Sequence, residues 1–275
     1  PNYAGFEYAV PDQDYSARVN NGDTYARIHN VMWFGNYRNP EDTRLPVFED
    51  GTKTGTVRFD IQGGKFGRAA DDKSLYIYNP QQYFPDTVTE GAPFRYCSSG
   101  YVEIDQGAAQ IGDLKPGDQF HMSFSLARDA DSTKTRIGTQ TRFVDSDGVN
   151  NVNAKDIFKV DKAADVAIFD QKIGVNMGTD KWYRFDIICT VGQKDKVANT
   201  ADVYVNGSLA KQGIEFSASG NVEKNEDGTI KSVKQVKSMV YLRPGYSLDN
   251  SNKTGNTKVA TDGKTYDEYQ HTGWY

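Results

Sequence analysis

Apolar and polar residues alternate with a period of two through most of the chain. The pattern is plain over residues 55–62, 74–78 and 100–105. It is plainest over 119–126, where Phe120, Met122, Phe124 and Leu126 fall on one face and Gln119, His121, Ser123 and Ser125 on the other. Residues 182–191, 201–205 and 238–242 extend the set. Such alternation predicts strands with one face on a core and one outward. Turn signals separate them: Asp50-Gly51, Pro116-Gly117, Asp147-Gly148, Asn206-Gly207 and Asp227-Gly228. Asn-Gly and Asp-Gly supply the positive φ angles that tight hairpins require. Residues 153–164 are the best candidate for a short helix, and 35–54 and 247–270 read as long loops. No repeat and no Pro/Gly/Ser-rich linker divides residues 1–275, so the expectation is a single domain.

The fold class expected from this pattern is all-β, a two-sheet antiparallel sandwich with long loops and little helix. The order of several segments points further. Trp182-Tyr183-Arg184-Phe185-Asp186-Ile187 leads through a polar turn to Ala201-Asp202-Val203-Tyr204-Val205-Asn206-Gly207. With Asp72 to Ile77, Gln119 to Leu126 and Ala4-Gly5-Phe6-Glu7, this series resembles the concanavalin A-like jelly rolls, the lectin/glucanase and laminin-G-like superfamily. The resemblance implies an extracellular or cell-surface bacterial protein. It also implies that the chain stops inside or just before its last strand, near Tyr275. Within the hairpin, Trp182 and Tyr183 point to opposite faces of the sheet, one between the sheets and one near the surface.

Composition narrows the partners. The chain has 275 residues and a formal net charge of -5, with no Lys/Arg-rich run. That excludes the basic stripe a nucleic-acid binder needs. No stretch is long and apolar enough to insert in a membrane. The chain begins at Pro1 without a Met, so the expectation is a mature or trimmed fragment from which a leader could have been removed. Cys97 and Cys189 fit no metal spacing and are read as two buried thiols or one disulfide.

Candidate chemistry is sparse. Glu103-Ile104-Asp105 is the nearest approach to the paired carboxylates of a glycosidase, but residue 108 is Ala where the glucanase pattern has a third acid. Gln119-Phe120-His121 has the spacing of the Gln-x-His strand of jelly-roll lyases. Arg27 and His29 form a second base-and-cation pair on one strand face. The Arg-rich and Tyr-x-Lys-rich companion motifs of alginate lyases are missing. Asp145, Asp147 and Asn150 place oxygen ligands at intervals around a Gly turn, as a structural calcium loop does, without a complete EF-hand signature.

Glycan binding needs less: aromatic faces for stacking, with amides and charged groups for hydroxyls. Trp33, Tyr37, Arg38, Tyr76, Tyr78, Tyr83, Arg243 and Tyr246 are the candidate glycan contacts. One of Trp33 and Phe34 belongs to the core. The leading expectation is therefore a glycan-binding module with a polysaccharide as partner. A polysaccharide lyase comes second, and a structural or adhesive domain meeting another protein third.

Overall fold

The computed structural model describes residues 26–28, 31–35, 47–51, 58–84, 100–104, 112–130, 137–149, 155–246 and 253–274. Its strands in chain order are β1 (Ala26–Ile28), β2 (Val31–Gly35), β3 (Arg58–Gly63), β4 (Lys73–Phe84), β5 (Gly100–Ile104), β6 (Gln119–Arg128), β7 (Ile137–Asp145), β8 (Lys155–Val160) and β9 (Asp165–Ile168). They continue with β10 (Gln171–Asn176), β11 (Lys181–Thr190), β12 (Asn199–Val205), β13 (Ser208–Phe216), β14 (Glu223–Lys224), β15 (Ile230–Ser232), β16 (Val236–Tyr246), β17 (Lys253–Val259) and β18 (Thr265–Trp274). Among the described residues the helical structure is one 3-10 turn, Lys65–Gly67.

The strands build two antiparallel sheets. The first runs β13-β12-β11-β6-β18-β4-β3, with β17 added on β18. The second runs β1-β2-β5-β16-β7-β8-β9-β10, and β14 pairs with β15 apart from both. The chain is an all-β sandwich, as its alternation predicts.

Alternation in β6 and β11 sets the core. Phe120, Met122, Leu126, Phe185, Ile187 and Cys189 are all buried. They meet Phe143, Ile157, Phe158, Val160 and Ile168 of the second sheet in one cluster. Phe124, Phe158 and Phe185 form an aromatic knot with centroids 4.5 to 5.7 Å apart. Each such ring removes a large apolar area from water, so these contacts dominate the stability of the sandwich. Burial pushes the Cys189 thiol far above its ordinary pKa, and the nearby Asp202 carboxylate adds to the effect. Cys189 is a free, buried, un-ionised thiol, and Cys97 lies outside the described residues.

Two expectations are corrected. Residues 155–160 of the proposed helix form β8, paired with β7 and β9. A register shift opposite Thr139 and Gln140 lets both Ile157 and Phe158 be buried, which breaks the strand period and disguises the strand. The polar stretch read as a loop over 247–270 takes in β17 and the first part of β18, which pair as a hairpin. There the buried Glu268 carboxylate accepts from Thr254 Oγ1 at 2.5 Å and Asn256 Nδ2 at 2.6 Å. Polar residues thus serve the inside of this hairpin because their hydrogen bonds are met across it, strand to strand.

Candidate functional site

The Gln119–His121 segment folds as the sequence predicts. Gln119, His121 and Ser123 are exposed and alternate with buried Phe120 and Met122, so they stand on the outer face of β6. In register beside them, β11 presents Arg184, Asp186, Ile188 and Thr190. Gln119 Nε2 donates to Thr190 Oγ1 at 3.1 Å. His121 Nε2 stands 3.0 Å from Asp186 Oδ1, and Arg184 donates to the same carboxylate through Nε at 3.0 Å and Nη2 at 3.1 Å. The Arg184 guanidinium holds the Asp186 carboxyl below the usual carboxylate range. A two-point guanidinium grip and an imidazole on one carboxylate make a charge-assisted network. His121 is half-exposed in it, at 51 % side-chain accessibility.

One end of this face is closed. The Trp182 indole donates to the Lys65 carbonyl at 2.9 Å, and the Arg68 guanidinium lies 3.8 Å over the indole ring. Ala127, which continues the outward positions of β6 and pairs with Trp182, is fully buried. Trp182 and Tyr183 do point to opposite faces: Tyr183 is buried, and its hydroxyl accepts from the Gly178 N–H at 2.9 Å. Asn206 and Gly207, at φ 50° and 82°, form the left-handed turn between β12 and β13.

The other sequence candidates are split between the sheets. Tyr76, Tyr78 and Tyr83 lie on β4 of the first sheet. Arg27 lies on β1, Trp33 on β2, and Arg243 and Tyr246 on β16, all in the second sheet. Gln119 with His121 and Arg27 therefore belong to opposite sheets and do not share one site. His29, Tyr37, Arg38, Asn150 and Asp105 lie outside the described residues.

In the proposed calcium loop, Asp145 is buried and its Oδ1 accepts the backbone N–H of Asp147 and of Val149, each at 3.0 Å. Asp147 accepts from Lys194 Nζ at 2.8 Å and from Lys234 Nζ at 3.0 Å. Two ammonium groups thus supply the positive charge at Asp147, and hydrogen bonds from them lower its pKa. Among the described residues no group of three His, Cys, Asp or Glu side chains is arranged to hold a metal ion.

The second sheet gathers a polar face that strand periodicity alone did not single out. In β7, Thr139, Thr141 and Phe143 are buried between the sheets, while Gln140 and Arg142 are half-buried on the outer side. Across the ladder Arg142 pairs with Tyr241 and Gln140 with Arg243 on β16. On its other side Gln140 pairs with Asp156 of β8. Two positions beyond Arg243, Gly245 pairs with Tyr101 of β5, which pairs with Phe34 of β2. Glu103 continues the same register, opposite Met32, which pairs with Arg27. Strand parity therefore puts the positions of Arg142, Gln140, Tyr241, Arg243, Tyr101, Glu103, Phe34 and Arg27 on one face. By the same parity the positions of Trp33 and Tyr246 fall on the opposite face.

No family model and no curated protein matches the chain in sequence. Among solved structures it is similar to the endo-β-1,4-glucuronan lyase of the fungus Trichoderma reesei, at 9% identity, a TM-score of 0.40, and coverage of 84% of this chain and 92% of that one. It is also similar to the alginate lyase Aly36B in complex with an alginate trisaccharide, at 8% identity and a TM-score of 0.37, covering 98% and 95% of the two chains. A tetrasaccharide complex of the same lyase gives 10% identity, a TM-score of 0.35, and coverage of 90% and 97%. Likenesses this distant carry no weight for function.

Proposed function

We propose that this protein binds an acidic polysaccharide along the outer face of its second sheet. The observation that carries this reading is the ladder of Arg142 with Tyr241 and Gln140 with Arg243. It sets two arginines, a glutamine and a tyrosine at register positions of one face on adjoining strands. A guanidinium matches a carboxylate in a planar, two-point manner, and an amide matches sugar hydroxyls. A chain of net charge -5 has no general attraction for polyanions, so recognition here relies on placed arginines. An extracellular or cell-surface setting, expected from the jelly-roll resemblance, accords with a polymeric ligand of this kind.

The Arg142–Tyr241 pairing favours a second reading, elimination across a uronate. That reaction needs a cation on the carboxylate and a base that takes the proton of the adjacent carbon, so that a C=C bond forms as the C–O bond to the glycosidic oxygen breaks and that oxygen leaves with a proton; tyrosine is among the side chains that serve as general bases and acids. The experiment is a titration with uronate polymers and with a neutral β-glucan, each followed also by the ultraviolet absorbance of an unsaturated product. Binding of uronate alone, weakened at least tenfold in Arg142→Ala and Arg243→Ala but unchanged in His121→Ala, supports the site. Equal affinity for the neutral polymer, or no binding, overturns it. Growth of absorbance makes the protein a lyase, and binding without it makes the protein a binding module.

A further inference from the structure

No further inference is drawn: the strongest candidate, the His121–Asp186–Arg184 cluster on the outer face of β6 and β11, is a surface ion-pair network, and nothing in the structure shows what ligand or partner would cover it.

Discussion

The side-chain oxygen of Asn199, in the first sheet, accepts the backbone N–H of Val236, in the second, at 3.2 Å. The same oxygen takes the Gly192 N–H at 3.1 Å. Asn199 Nδ2 donates to the carbonyls of Phe216 at 3.0 Å and Lys234 at 2.9 Å. One fully buried amide thus ties β12, β13, the start of β16 and the 192 loop together. Asn199→Ala removes a partner from four backbone groups at once, of which the Lys234 carbonyl keeps the Ala218 N–H. The expected loss is about 3 kcal/mol or more, read from urea unfolding, and Asn199→Asp should also destabilise because it exchanges two donors for a buried charge. A loss below about 1 kcal/mol in both would show that water replaces the amide without penalty.

The turn between β9 and β10 places two non-glycine residues in the left-handed region, Phe169 at φ 46° and Asp170 at φ 64°. Phe169 is held there by packing: its ring stacks on Phe216 with centroids 4.0 Å apart and planes 2° from parallel. Asp170 has only an exposed ion pair with Lys159, the kind of contact that contributes little. Asp170→Gly is therefore expected to stabilise by about 0.5–1 kcal/mol, and Phe169→Ala to cost about 3 kcal/mol. Thermal melts of the two variants should move in opposite directions. A fall in both would mean that the Lys159 pair outweighs the backbone strain.

The Asp186 carboxyl is held low by Arg184 in the folded state, so its contribution to stability has a definite pH window. That contribution is complete above the ordinary Asp pKa of about 3.9. It is lost as pH falls from there through the lower folded value. Its size is about 1 kcal/mol, and Asp186→Asn should remove it at neutral pH while changing stability little in strong acid. Stability measured by urea at pH 7 and pH 2 tests this. A variant equally destabilised at both pH values would point to lost packing instead.

Lys194 and Lys234 converge on Asp147, so the Asp145–Asp147 turn is expected to fold without calcium. Chelation should leave the melting temperature unchanged, and millimolar calcium should not raise it. A calcium-dependent rise would mean that the lysines yield to a cation.

How much of this could be read in the chain follows from how locally each feature is specified. The outward set of β6 and the opposed faces of Trp182 and Tyr183 follow from strand parity alone, and both stand where expected. β8 was obscured by the register shift that buries Ile157 beside Phe158. β17 was obscured because it is mostly exposed and polar, and β18 because Glu268 is satisfied by Thr254 and Asn256, partners more than ten residues away. The Phe169-Asp170 turn carries no glycine or asparagine to announce it. The Gln140–Arg243 pairing joins segments about a hundred residues apart, and its register exists only once the sheet is assembled. Candidate residues sharing a strand were therefore legible, whereas candidates sharing a face across strands were not.

The position of β18 has a consequence for how the molecule is made. This strand lies between β6 and β4, so the first sheet is two separate parts until residues 265–274 are available. During synthesis the β6-side strands and the β3–β4 hairpin must wait, with facing edges unpaired, for a partner that leaves the ribosome long after them. Closure of this sheet is thus a late, long-range event of the slow kind, and the interval before it is when the chain is most open to joining another copy of itself edge to edge.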